Sequence, residues 1–333
     1  MNREFRPVVR DPHLLTIAGN YWPRSIDESR FPAVRRTYQV DFDTCVVAFE
    51  HHTSGPERGQ VLTLHGLEGS ANAGYIASLA QTALTRGFGV HRLNMRTCGG
   101  TESLCKTMYH SGLTGDARFV IEQLRARGQG PIFVVGFSLG GNVALKLAGE
   151  LGETDLLAGV VAVSTPIDLA ESVRCLDKRC NLLYARRFLE RLRSRVKRKS
   201  ELSPEMYNAV GLDAVKTIWE FDDRFTAPLF GFGTAENYYN TQSARRFLHA
   251  IRIPTLVVVA KDDPLVPFES YHDENFQTNS ALKLLATEHG GHLGFISRRE
   301  PRFWADHVAL DWFEDILRSE TFRGTNTGSA TSV

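Results

Sequence analysis

Residues 134–142 read Val-Val-Gly-Phe-Ser-Leu-Gly-Gly-Asn, and how this stretch has to bend decides the fold. The apolar run before it, 132–135, has the length and composition of a buried strand. After it, Asn142-Val-Ala-Leu-Lys-Leu-Ala-Gly-Glu-Leu151 reads as a helix. The junction is Gly136-Phe-Ser-Leu-Gly140, a Gly-x-Ser-x-Gly pattern. A serine on so sharp a strand-to-helix turn has its hydroxyl pushed into solvent at the carboxyl edge of a sheet. A β-carbon at either glycine would clash inside the bend. The five residues alone arise often by chance, but between a strand and a helix they predict a nucleophile elbow at Ser138.

A serine hydroxyl is a weak nucleophile until a neighbouring base takes its proton, and that base needs an acid to orient it. Two further strand patterns supply candidates. Ile253-Pro-Thr-Leu-Val-Val-Val-Ala260 runs into Lys261-Asp-Asp-Pro-Leu-Val-Pro267, and Ala281-Leu-Lys-Leu-Leu-Ala286 is followed by Glu288-His-Gly-Gly-His292. An acid and a histidine thus each follow a strand, on the sheet edge that carries Ser138, in the chain order serine, acid, histidine. The spacing predicts Ser138 as nucleophile, His292 as base and Asp263 as the orienting acid, with Asp262 and His289 as their competitors. His292 is preferred because its Gly-Gly loop allows a close approach, and Asp263 because hydrolases commonly place Asp-Pro-x-x-Pro after this strand.

An oxyanion site has its own signal. The strand pattern at 59–64 ends in His65-Gly-Leu-Glu-Gly-Ser70. Such a turn offers a backbone N–H to a tetrahedral oxyanion, the second coming from the residue after the nucleophile. Leu67 and Leu139 are the expected donors. Taken alone, His65-Gly66 is an ordinary strand-ending turn; its place relative to Ser138 favours the functional reading.

The chain of 333 residues, 42% hydrophobic, suits one large domain with an insertion. A net charge of +1 provides no field for nucleic acid. Cys45, Cys98, Cys105, Cys175 and Cys180 form neither a zinc-type spacing nor an even disulfide framework, which points to a reducing compartment. No apolar core of signal-peptide length opens the chain, and no window has the roughly 18 uncharged apolar residues of a membrane span. The expectation is a cytoplasmic protein without metal or organic cofactor. A metal hydrolase would have to recruit His65, His289 and His292, and no carboxylate–histidine spacing supports that.

Strands alternating with helices predict a mostly parallel sheet flanked by helices. Residues 1–30 read as an irregular aromatic wrap and 35–51 as an antiparallel pair. Helices are expected near 73–86, 114–127 and 303–317, the last with Trp304, Val308, Trp312, Phe313 and Ile316 on one stripe. The organisation is a core over 1–168, a helical cap insertion over 169–250, the rest of the core over 251–320 and a flexible Gly/Ser/Thr-rich tail over 321–333. Within the cap, 186–199 (Arg-Arg-Phe-Leu-Glu-Arg-Leu-Arg-Ser-Arg-Val-Lys-Arg-Lys) is a basic helix. Contact with anionic headgroups is one reading, but the solvated outer face of a cap helix is the plainer one. Aromatics from Tyr207 to Tyr239 are expected to pack the cap's own core, one or two of them lining an acyl pocket.

These motifs together resemble the YheT-like branch of the α/β-hydrolases, related to plant embryogenesis-associated and animal ABHD-type lipid hydrolases. The similar stretches are Asp11-Pro-His-Leu-Leu-Thr-Ile17, His65-Gly-Leu-Glu-Gly-Ser70, Asn94-Met-Arg-Thr-Cys-Gly-Gly100, Tyr109-His-Ser-Gly-Leu-Thr-Gly-Asp116, the elbow, and Glu220-Phe-Asp-Asp-Arg-Phe-Thr-Ala-Pro-Leu-Phe-Gly-Phe232. The last lies in the cap, where hydrolase families diverge most. The resemblance implies an α/β-hydrolase fold and a serine carboxylesterase or lipase acting on small-molecule or lipid acyl esters, with Ser138, Asp263 and His292 as its triad. Two departures stand out: Thr97 occupies a place where glycine is expected, and Asp41-Phe-Asp43 replaces an Asp-Gly-Asp turn. An acyltransferase with the same triad, or a catalytically silent ligand-binding protein on this fold, are the alternatives.

Overall fold

Aspartate followed by proline starts a helix well, because the carboxylate accepts an orphan N–H and proline lacks one. A computed structural model, describing residues 4–327, shows this at the beginning of the chain: Asp11 caps α1 (Pro12–Tyr21), accepting from Leu14 N–H at 2.8 Å. Residues 1–30, expected to be irregular, therefore contain a helix, and the capping signal was legible. Next come β1 (Val34–Asp41) and β2 (Thr44–His51), the antiparallel pair, then β3 (Gln60–Leu64), α2 (Gly74–Thr85), β4 (Gly89–Asn94) and α3 (Gly115–Ala126). The elbow joins β5 (Ile132–Phe137) to α4 (Leu139–Leu151), and β6 (Gly159–Val163) follows. The helix begins directly after Ser138, three residues earlier than its apolar pattern suggested.

The sheet runs β1-β2-β4-β3-β5-β6 and continues through β7 (Thr255–Ala260) and β8 (Leu282–Thr287). β2 is antiparallel to both neighbours; from β4 onward every pairing is parallel. The interior strands are buried at every residue, as an apolar run covered on both faces must be. One face packs against α3 and α4 through Val120, Ile121, Leu124, Val143 and Leu147. The other packs against α2 and the closing helix (Trp304–Thr327), where Phe133 stacks on Phe313 at 4.3 Å between ring centroids. The tail expected over 321–333 overlaps the end of this closing helix, whose backbone continues to Thr327; residues 328–333 lie outside the described residues.

Between β6 and β7 the chain leaves the sheet and forms helices over its carboxyl edge. They are Leu169–Leu176, the long basic helix Leu182–Leu202, a broken run through Ile218–Phe221, Asp222–Thr226 and Ala227–Leu229, and Ala235–Gln242. This layer has a core of its own, built on Leu189, Leu192, Val196, Phe221, Tyr238 and Tyr239. The last turns, Ala244–Ala250, instead pack Ala244 and Leu248 into the main core. Among the described residues no helix is long and apolar enough to cross a membrane.

Candidate active site

The elbow is built as its glycines require. A β-carbon on Gly136 would run into the Gly140 carbonyl, and one on Gly140 into the Leu64 carbonyl. Ser138 is forced to φ 52° and ψ −122°, an uncommon conformation for a residue with a side chain. Its amide donates to Val163 O at 2.8 Å, which fixes the turn to the end of β6.

Ser138 Oγ lies 2.9 Å from His292 Nε2, and His292 Nδ1 lies 2.9 Å from Asp263 Oδ2. The carboxylate acceptor assigns the proton to Nδ1, which leaves Nε2 to accept from the serine hydroxyl. Asp263 is held in turn, because its Oδ1 accepts from Leu265 N–H at 2.8 Å and Val266 N–H at 3.1 Å. The competing residues form a second pair beside this one. His289 Nδ1 donates to Asp262 Oδ2 at 3.1 Å, and Gly291 N–H donates to Asp262 Oδ1 at 2.9 Å. The structure thus brings Ser138, His292 and Asp263 into one hydrogen-bonded chain and leaves Asp262 and His289 bracing the loop. Helix α1 braces it as well, since Thr16 Oγ1 accepts from His292 N–H at 2.9 Å.

The turn after β3 lies opposite. His65 accepts Met95 N–H at Nε2, 3.1 Å, and donates from Nδ1 to Gly66 O, 2.8 Å, so both nitrogens hold backbone. Burial lowers its pKa to about 4, and it remains neutral while doing so. Gly66 N–H donates to Tyr75 Oη at 3.0 Å and Glu68 N–H to Tyr109 Oη at 2.9 Å. Between them the Leu67 N–H has no hydrogen-bond partner among the described residues. Leu139 N–H is in the same position for a different reason, because the first amides of a helix lack intrahelical acceptors. Both residues line the cavity that contains Ser138 and His292.

Glu68 was not singled out from the sequence. It sits at φ 55° in this turn, its side chain 2% exposed, paired to Arg195 of the basic helix with N–O distances of 2.8, 2.9 and 3.2 Å. The Arg195 guanidinium also bonds the Thr97 carbonyl and Thr97 Oγ1, linking cap, turn and the loop after β4. Thr97 itself is buried at φ 61°. That left-handed backbone explains why glycine is expected at this position, and a β-branched residue there carries local strain. Arg96, next to it, makes a two-pronged pair with Asp116 at 2.7 Å, which joins two of the sequence motifs. Asn142 joins a third, donating to Ser111 O and Gln242 O and accepting from Ala244 N–H.

Two cavities meet at the serine. The inner one runs under the cap between Leu169, Val173, Leu176, Ile218, Phe221 and Tyr239. Polar groups interrupt its wall, Ser111, Ser172 and Asp222 among them; Asp222 accepts from Thr226 Oγ1 and Tyr239 Oη, both at 2.6 Å, and burial raises its pKa to about 6. The outer and roomier cavity opens between α1, the turn after β3 and the basic helix. Arg187, Arg191 and Arg195 line it. The basic run, expected to be the solvated outer face of a cap helix, is therefore only partly so: Arg186, Lys197 and Arg198 are exposed, while Arg187, Arg191 and Arg195 line the outer cavity.

Comparison with known proteins places the arrangement in a class. The alpha/beta hydrolase fold pattern matches residues 60–298. The chain is 32% identical over 93% of its length to the putative esterase YheT of Escherichia coli K12, spanning 92% of that protein. It is 27% identical over 75% of its length to the monoacylglycerol lipase of Saccharomyces cerevisiae, spanning 58% of it. A solved structure of 2,6-dihydroxy-pseudo-oxynicotine hydrolase superposes with a TM-score of 0.59 at 19% identity, covering 87% of this chain and 69% of that one, which speaks for the fold alone. The chain belongs to the α/β-hydrolase family, in its YheT-type branch. Membership of that branch makes it an ester-hydrolysing enzyme.

Proposed function

We propose that the protein cleaves carboxylic esters of apolar acids through an acyl-enzyme formed on Ser138. The observation that carries this reading is the unbroken chain Asp263–His292–Ser138, 2.9 Å at each link, at the mouth of an apolar cavity. As Oγ attacks the ester carbonyl, His292 Nε2 takes its proton, and Asp263 stabilises the imidazolium. The oxyanion accepts from Leu67 N–H and Leu139 N–H; one donor of this kind is worth about 2.7–4 kcal/mol of barrier. Collapse breaks the bond to the alcohol, which leaves with the proton from His292. Water then enters, His292 removes its proton, and the acid departs. The acyl chain lies in the inner cavity, against Leu169, Val173 and Phe221. The branch's link to lipid metabolism fits an apolar acyl group. Free thiols at all five cysteines support a reducing compartment, the cytoplasm.

A p-nitrophenyl ester series from acetyl to palmitoyl tests the reading. The expected profile rises from acetyl to a maximum at intermediate length, where the cavity is filled, and Ser138→Ala reduces every ester to background. Hydrolysis that survives Ser138→Ala contradicts it. A steady rate that needs an added alcohol and ignores water would make the enzyme an acyltransferase.

A further inference from the structure

Beyond the far wall of the inner cavity, a groove opens on the cap surface between Val196, Met206, Phe225, Pro228 and Leu229. Val210 stands at its rim, 80% exposed. Met108 lines both spaces, so at this residue the wall is one side chain thick. Two elements carry apolar surface from one space to the other. On the basic helix Leu182–Leu202, Phe188 and Leu192 line the inner cavity, and Val196, next at four-residue spacing, lines the groove. The π-helical turn Asp222–Thr226 forms the partition beside Met108. Its Asp222 and Thr226 line the cavity and its Arg224 and Phe225 line the groove, and Phe225 stacks on Phe221 of the cavity wall at 5.5 Å between centroids. Single π-turns of this kind recur at functional sites.

We infer that the groove is the distal half of the acyl-binding site and that Met108 is the gate through which long chains enter it. The inference rests on the acyl-enzyme reading above and adds the far end of the chain to it. The occupant is a hydrocarbon tail, because the groove continues the apolar surface of the cavity that receives the acyl group. Asn208 and Arg224 are exposed at its solvent margin, and the Tyr207 hydroxyl is spent on the Met108 amide, which donates to it at 2.7 Å. That bond anchors the backbone of Met108, while its unbranched thioether keeps three rotatable bonds and can swing aside. Short chains end before the gate and leave it closed. Each methylene that passes it gains burial against the groove walls, offset by displacement of the methionine. Beyond the maximum at intermediate length, the rate therefore settles on a plateau and does not fall to background.

The test uses two single-chain reagents, butanesulfonyl fluoride and hexadecanesulfonyl fluoride, below micelle-forming concentrations on the full chain. Both sulfonylate Ser138 with loss of fluoride, and the ratio of their labelling rates is read, so a loss of folded protein cancels. Met108→Trp, which fills the gate, lowers the hexadecyl-to-butyl ratio about thirtyfold, the effect of two or three methylenes denied burial. Val210→Asp lowers it about threefold by placing a charge beside the tail, and this exposed position does not put folding at risk. Phe42→Asp, exposed on the β1–β2 turn away from the cap, keeps the wild-type ratio. A crystal structure of the hexadecyl adduct shows the tail passing Met108 and ending against Phe225 and Leu229. A tail coiled wholly within the inner cavity or leaving through the outer one overturns the gate, as does a ratio that neither Met108→Trp nor Val210→Asp changes. Failure of both reagents to label Ser138 in folded protein overturns the acyl-enzyme reading instead.

Discussion

Asp262–His289 and Asp263–His292 are drawn from the same two loops, one residue apart on the first and three apart on the second, and the proposed reaction gives them opposite tasks. Asp263 is 3% exposed and His292 10%, with the imidazole facing Ser138. Asp262 and His289 are 18% and 35% exposed, and Asp262 spends its second oxygen on the Gly291 amide. The chain turns here, with Asp263 N–H donating to Ala260 O at 3.3 Å, so a single step re-aims the side chain and separates the group that faces the histidine of the proposed triad from the one that holds the loop. The same division recurs across the site. His65 and the Glu68–Arg195 pair hold the turn that presents Leu67, and neither touches the serine hydroxyl.

That division sets the order of the expected effects. Asp263→Asn lowers kcat about 10⁴-fold while leaving the unfolding midpoint nearly unchanged, because the amide orients the wrong tautomer; ester kinetics with urea denaturation measures both. Arg195→Met does the reverse. It leaves Glu68 buried and unpaired, and stability falls by about 3–5 kcal/mol. Adding Glu68→Gln recovers most of that loss, and a double variant no more stable than the single would show that the pair is not what holds the turn. His65 separates holding from acting by its pH signature. Its folded pKa, about 4, lies below the unfolded value, so the unfolded state takes up the proton first as pH falls. Stability is therefore retained above about pH 6.5 and lost on the way down to pH 4, by about 3 kcal/mol from this group. His65→Gln should be less stable at pH 7 yet show a shallower loss on acidification. The smallest effect belongs to Asp262→Asn, which weakens one loop contact: about 1 kcal/mol of stability and less than tenfold in kcat. If Asp262→Asn cost as much activity as Asp263→Asn, the two pairs would have exchanged roles and the comparison would fail.

Much of this was readable in one dimension because strand ends and turns leave local marks. Gly136 and Gly140 signal a bend that admits no β-carbon, and the acid and histidine follow apolar runs long enough to be strands. What stayed hidden depends on contacts between distant segments. Glu68 and Arg195 are 127 positions apart, and Thr16 lies 276 positions from the histidine whose amide it accepts. The basic helix shows the same limit. Its four-residue spacing of arginines was visible, but which row meets the site depends on how the cap sits over the sheet. Helix α1 is a different case, since Asp11-Pro12 announced it.

In the proposed reaction Ser138 is the residue activated by the inward pair. Reaction of the folded protein with a fluorophosphonate probe, followed by mass mapping of the labelled peptide, tests it most directly. The expected result is one label per chain on Ser138, none in Ser138→Ala, labelling slowed at least ~10³-fold in Asp263→Asn and near wild-type in Asp262→Asn. A label on another residue, or a folded wild-type protein that takes none, would contradict it.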